Sequence, residues 1–312
     1  MQGLANRFFY AILVTESDPL HQEAPMTKTR KSKKHSQNRL LRGFTAVALS
    51  AAVLAAVVFL LVLRQPRESD LPEVETDPFL SDFTPESTSP LGVNPYGPED
   101  FSYEGDYLAC LAGPALLGVD VSAHQGEIDW EQVRDAGMEF AIIRIGYRGY
   151  TSGGLYPDEY AQDNLEGAKK AGLKVGVYFY SQAINPTEAA LEAAYCIQFL
   201  KDWELDLPVV YDWEYVNEEA RTANMDEQTL MACTKTFCDA VEDAGYDTMV
   251  YFNPSLAESL LNLEELLEYP FWLAMYSDRM TWPYKVDMWQ YTASGTVPGI
   301  EGDADINLWF VG

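Results

Sequence analysis

The sequence predicts an α/β fold over residues 115–312, an irregular (β/α) TIM-like barrel of about eight strands and about five helices. One transmembrane helix and a disordered linker are expected before it. Three observations carry the barrel. From about Ala115 onward, short runs rich in β-branched and aromatic residues alternate with helical patterns, and such alternation implies a parallel sheet. Eight of these runs fall within roughly 200 residues, which suits a compact closed sheet. No glycine-rich phosphate loop follows any of them, as the alternative doubly wound open sheet would lead one to expect.

In chain order, residues 1–43 form a basic segment. Lys28, Arg30, Lys31, Lys33, Lys34, Arg39 and Arg42 precede the uncharged stretch 44–63, and only Arg64 and Arg67 follow before acids take over. At about 1.5 Å per residue, 44–63 is long enough to cross a hydrocarbon core of roughly 30 Å. The Lys/Arg imbalance places 1–43 in the cytoplasm and the remainder outside the cell. A cleaved signal peptide is the competing reading, but such apolar cores are shorter and end at small residues, whereas this one runs Leu61-Val62-Leu63-Arg64-Gln65-Pro66. The apolar run 8–14 is too short to span a membrane, and Met26 opens the basic leader, so translation is expected to start at Met26. Residues 64–114 are rich in Pro, Ser, Asp and Glu. They read as a solvated spacer that cannot bury enough surface to fold.

The strand candidates are 117–122, 140–147, 173–180, 207–214, 248–252, 271–276, 286–292 and 306–311. Helices are expected around 129–137, 157–172, 186–204 and 225–245. Asn185-Pro186-Thr187-Glu188 starts one of them well, with Asn at the cap, Pro at the first helical position and Glu at the third. Gly172 and Gly245 stand where helices should stop. Two strands must fit between Pro270 and Thr292, which leaves no room for a full helix there and makes the barrel irregular.

Composition limits the functions. A hydrophobic content of 47% with 13% aromatics excludes wholesale disorder. A net charge of −27 makes nucleic acid a poor partner, because phosphate binding needs clustered Lys and Arg. Cys110, Cys196, Cys233 and Cys238 form no C-x-x-C pair and have no histidine at metal spacing. They read as small buried hydrophobes, with a disulfide left open. There is no serine nucleophile elbow, H-E-x-x-H or Walker A pattern. No cofactor, no metal and no obligate protein partner are expected.

The chemistry concentrates in 208–214, Pro-Val-Val-Tyr-Asp-Trp-Glu. Residues two apart on a strand share a face, so Asp212 and Glu214 point together while Tyr211 and Trp213 point away. They stand at the C-terminal end of their strand, where barrel active sites assemble. Asp120 ends the first strand in the same way, and Asp305 enters at the last. Four converging carboxylates repel one another and resist desolvation, which should raise at least one pKa toward the working pH. A proton donor needs that property. An isolated Asp-x-Glu is more often a solvated loop; the apolar strand before it and Asp120 at an equivalent position favour a site. Tyr178, Tyr180, Tyr251, Trp289 and Tyr291 lie in or at the ends of strands. Singly each fits core packing; as a set facing carboxylates they suit a saccharide groove. His124 reads as a hydrogen-bonder behind the acids or as an ordinary loop histidine. Arg144 reads as an ion-pair partner of a rim carboxylate. Asp278, Asp287, Glu218 and Glu219 read as solvated.

These residues resemble glycoside hydrolase family 25, the lysozymes of fungal and phage-endolysin type. The resemblance runs from Gly118 to the C-terminus in four ordered blocks, at 120–130, 156–181, 208–214 and 288–307. It implies hydrolysis of the β-1,4 bond between N-acetylmuramic acid and N-acetylglucosamine in peptidoglycan, with net retention. By position, Glu214 would be the general acid. Asp212 would orient the substrate acetamido group, whose carbonyl oxygen attacks the anomeric carbon; a covalent enzyme nucleophile is the other possibility. Asp120 and Asp305 match the family's remaining rim acids. Together these readings describe a membrane-anchored, single-pass muramidase with an extracellular catalytic domain, bound to a peptidoglycan strand. The alternatives are a non-catalytic peptidoglycan-binding module on a degenerate barrel, a related N-acetylhexosaminide hydrolase, and a metal-dependent hydrolase.

Overall fold

The structure is a computed structural model and describes residues 89–311. The basic segment 1–43, the expected transmembrane helix 44–63 and the first part of the expected spacer lie outside the described residues. Among the described residues, no helix is long and apolar enough to cross a membrane.

The first described elements are a 3-10 turn at Pro98–Asp100 and a hairpin of β1 (Phe101–Glu104) and β2 (Tyr107–Cys110). The positive φ of Gly105 makes its tight turn. Then follow β3 (Ala115–Val121), α1 (Trp130–Asp135), β4 (Phe140–Arg148), β5 (Leu155–Pro157), α2 (Ala161–Ala171) and β6 (Lys174–Ser181). The chain continues through α3 (Pro186–Leu200), β7 (Val209–Trp213), α4 (Glu227–Asp243), β8 (Thr248–Phe252), α5 (Pro254–Ser259), β9 (Phe271–Ala274), β10 (Met288–Gly295) and β11 (Ala304–Phe310). Every expected strand and helix region contains an element of that type. Asn185 caps α3 through its side chain, which accepts from the Glu188 amide, and Gly172 ends α2 in the left-handed conformation with φ +90°.

Eight strands close a barrel in the order β3-β4-β6-β7-β8-β9-β10-β11, with β11 pairing back onto β3 and β5 attached to the end of β4. The pairings from β3 through β10 are parallel, but β11 runs antiparallel to both neighbours. The wholly parallel sheet expected from strand–helix alternation is corrected there. The link 296–303 is too short for a crossover, so the chain can only double back. The reversal brings the start of β11 to the rim where the parallel strands end.

Side-chain parity divides the core into two layers. Phe140, Ile142, Val210, Met249, Trp272 and Met288 fill the barrel interior. Their strand neighbours face outward against the helices, as with Ala141, Ile143, Val209 and Tyr211. Gly118 is required by this filling, because a Cβ there would meet the Phe140 ring at 2.5 Å.

No helix follows β9 or β10, and the hairpin lies over β10 instead. Phe101 meets Trp289 edge-on at 5.0 Å, the Leu108 amide donates to the Tyr291 hydroxyl at 3.3 Å, and Tyr96 stacks on Phe310 at 4.6 Å. The described part of 64–114 is therefore folded onto the barrel, and the spacer reading is corrected for residues 89–114. Their acid-rich average composition conceals buried Phe101 and Leu108, which find apolar partners far along the chain. All four cysteines are free thiols, and Cys196, Cys233 and Cys238 are buried.

Candidate active site

Three strands, β3, β7 and β11, deliver four carboxylates to one rim. Asp120 is the penultimate residue of β3, Asp212 the penultimate residue of β7, Glu214 follows that strand by one residue, and Asp305 is the second residue of β11. Asp305 pairs directly with Asp120, and Asp212 lies between Tyr180 on β6 and Tyr251 on β8. All four line a single cleft of about 810 Å³, within the roughly 300–1,000 Å³ of small-molecule sites.

Asp120 is buried, and its Oδ2 accepts from Gln290 Nε2 and Asn307 Nδ2, each at 2.8 Å. Those amides are themselves oriented. Gln290 Oε1 accepts from the hydroxyls of Tyr251 at 2.9 Å and Tyr276 at 3.2 Å, and Asn307 Oδ1 accepts from Trp272 Nε1 at 2.9 Å. Burial, and then the charge of Asp305, push the Asp120 carboxyl well above the usual range against the opposing amide bonds. Asp212 is also raised well above it, by burial first and then by Glu214 and Asp120. Its Oδ1 is buried with no hydrogen-bond partner. Burial and then Asp305 raise Glu214, and Asp305 itself is pushed up to about 6 by burial and the neighbouring Asp303. A cluster of this kind keeps protons near neutrality and titrates as a unit. It can therefore present a neutral carboxylic acid beside a carboxylate, which is the equipment for proton transfer to a leaving group.

Tyr178, Tyr180 and Tyr251 line the cleft. Burial raises all three phenols, so they remain hydroxyl donors. Exposed His124 lines it too, carried by the 3-10 turn Ala123–Gln125; among the described residues its imidazole bonds to none of the four acids. Arg144 pairs with Asp158 at 2.8 Å as expected, and fully buried Asp158 also accepts from the amides of Ala123 and Tyr160. The ion pair thus fixes the turn that bears His124.

Trp289 and Tyr291 are corrected. Both are buried in the outer layer under the hairpin, and Trp289 Nε1 donates to the Met275 carbonyl at 2.7 Å. On β10 it is Gln290, between them, that faces the acids. Strand alternation carried that signal, since 289 and 291 share the face that 288 and 290 do not. Asn307 was readable in the same way, two residues after Asp305. Trp272, Tyr276, Tyr147 and Tyr150 also line the cleft and escaped the sequence reading. Among the described residues, no group of three or more His, Cys, Asp or Glu is placed to hold a metal ion.

Residues 119–300 match the family model for glycosyl hydrolases family 25. The chain is 29% identical over 193 residues to an autolytic lysozyme of Clostridium acetobutylicum, an alignment covering 62% of this chain and 55% of that protein. The modular autolysin LytC of Streptococcus pneumoniae superposes with a TM-score of 0.56 at 32% identity, covering 63% of this chain and 47% of that one. The bacterial lysozyme from Streptomyces coelicolor gives a TM-score of 0.51 at 26% identity, covering 64% and 93% respectively. The chain thus spans about half the length of the clostridial and pneumococcal relatives.

Proposed function

The chain belongs to family 25 of the glycosyl hydrolases, and from that premise we propose that it hydrolyses the β-1,4 bond between N-acetylmuramic acid and N-acetylglucosamine in peptidoglycan. The observation that carries the reading is the convergence of Asp120, Asp212, Glu214 and Asp305 on one cleft lined with tyrosines. The relatives' descriptions as lysozymes and autolysins support the same substrate class.

In the proposed reaction, Glu214 enters neutral and gives its proton to the glycosidic oxygen as the bond to the anomeric carbon breaks. The carbonyl oxygen of the substrate's own acetamido group attacks that carbon from the opposite face, giving a cyclic oxazolinium and net retention after water opens it. Glu214, now a carboxylate, takes the proton of that water. Asp212 holds the acetamido N–H. Its unpartnered Oδ1 is the acceptor such a donor would satisfy, and a donated hydrogen bond favours the ionised form that burial alone disfavours. Burial and the negative field of Asp305 keep Glu214 protonated before the reaction.

Mass spectrometry of products from defined peptidoglycan tests the proposal. New reducing muramic acid ends are expected, with Glu214→Gln inactive and EDTA without effect. Reducing N-acetylglucosamine ends would assign a different glycosidase specificity, and tight binding without turnover would assign a binding module. The apolar stretch 44–63 is proposed to anchor the domain outside the cell. Tethering would supply a local concentration at the wall that an acidic domain facing an anionic polymer cannot gain electrostatically. Release of the protein from membranes by alkaline carbonate, without detergent, would count against the anchor.

A further inference from the structure

Glu214 lies one residue beyond the end of its strand. The β6–β7 ladder finishes with Ser181 paired to Trp213, so regular sheet bonding stops just short of the proposed proton donor. The next residue on β6's side is Gln182, which is fully buried. Its side-chain Nε2 donates to the Glu214 carbonyl at 2.8 Å and to the Ser181 carbonyl at 3.0 Å, while its Oε1 accepts from Thr222 Oγ1 at 2.8 Å. A side-chain amide thus continues the ladder by one rung at the residue whose placement matters most.

That rung has its own support. Arg221 Nη1 donates to the Gln182 carbonyl at 2.9 Å, and its guanidinium forks onto Glu188 at 2.6 and 2.8 Å. The Arg221 amide donates to the carbonyl of Tyr150 at 3.0 Å, and Tyr150 lines the cleft. One residue therefore ties together the chain behind the acid and the segment that carries Tyr150 into the cleft lining.

We propose that Gln182 is a positioning residue for Glu214, held in register by the Arg221–Glu188 pair. The inference rests on the reading of Glu214 as the proton donor. An acid that must meet a glycosidic oxygen at hydrogen-bond distance is sensitive to small displacements, and about 1 Å of misplacement can cost on the order of 100-fold. The glutamine does not touch substrate; it fixes the backbone from which the acid projects.

The test uses the full chain with Gln182→Ala, Gln182→Glu and Glu214→Gln, measuring kcat and KM on peptidoglycan between pH 4.5 and 8, each relative to wild type at the same pH. Gln182→Ala should lower kcat by about 10–100-fold at every pH with KM changed by less than about threefold. Gln182→Glu should lose as much at pH 8, where its carboxylate can only accept. It should recover toward wild type as the pH falls, because a protonated carboxyl can donate to the Glu214 carbonyl as the amide did. A Gln182→Ala kcat near that of wild type would overturn the proposal. So would a Gln182→Glu loss that does not change with pH, and that outcome remains measurable should the alanine variant fail to fold. Activity retained by Glu214→Gln would instead remove the reading on which the inference stands.

Discussion

Asp305 stands directly across from Asp120 on adjacent antiparallel strands. Like charges opposite each other on one face destabilise a sheet, and here both groups are also withdrawn from water. The pair exists because β11 doubles back, placing its first residues against the last residues of β3.

The first prediction concerns stability. Asp305 is raised to about 6 in the fold, against about 3.9 in an unfolded chain. The folded state therefore holds this proton more tightly, and the group's contribution, fully present below about pH 4, is lost as the pH rises to about 6. Asp305→Asn removes that loss. Its melting temperature at pH 7 should exceed wild type by about 2–6 °C, with the gap closing near pH 4. A wild-type melting curve independent of pH across this window would contradict the assignment.

The second prediction concerns catalysis. Glu214→Gln should lower kcat by about 10²–10⁴-fold, the usual worth of a general acid, with little change in KM. After burial, the charge of Asp305 is the next cause raising Glu214. Asp305→Asn should therefore move the alkaline limb of kcat/KM to lower pH. A limb that stays in place or moves upward would show that Asp305 does not act on the acid.

What the sequence revealed and what it hid follow from the range of the interactions. Asp120, Asp212 and Glu214 were legible because strand parity and strand-end position are local properties. Asp305 was assigned to the rim, but the antiparallel turn that takes it there was not foreseen. Trp289 and Tyr291 were misplaced because residue type was weighed above the alternation that sends Gln290 inward. The hairpin was hidden because its stability is non-local: the Leu108 amide finds the Tyr291 hydroxyl 183 residues away. Gln182 was invisible for the same reason, since nothing near it in sequence announces a bond to the Glu214 carbonyl.

The third prediction follows from that hairpin. A chain cut at Ala115, where the barrel begins, would uncover Trp289, Tyr291 and Phe310, the rings met by Phe101, Leu108 and Tyr96. Burying one large side chain contributes about 1.5–3 kcal/mol, and an exposed aromatic patch promotes association. A fragment starting at Ser89 should stay monomeric with a well-defined melting transition. One starting at Ala115 should melt at least about 5 °C lower and associate on size exclusion. Equal melting temperatures would show the hairpin to be dispensable.

The fourth prediction separates two aromatics, Trp289, which the sequence placed in the groove, and Tyr276, which it did not. Trp289 is fully buried and anchored on the Met275 carbonyl, whereas Tyr276 is 62% exposed at the cleft with its hydroxyl on Gln290. Trp289→Ala opens a cavity and should cost about 3–5 kcal/mol; the enzyme that remains folded should bind substrate much as before. Tyr276→Ala removes little packing and should leave the melting temperature within about 2 °C. It should nonetheless raise KM several-fold if the proposed glycan occupies the cleft, because a flat ring and the hydroxyl orienting Gln290 are lost from its wall. Thermal melts and kinetics on the two variants read the roles independently. If Trp289→Ala raised KM in a protein of unchanged stability, the outward-facing assignment of β10 would be wrong. If Tyr276→Ala melted like a core variant, its ring would have to belong to the packing and not to the cleft.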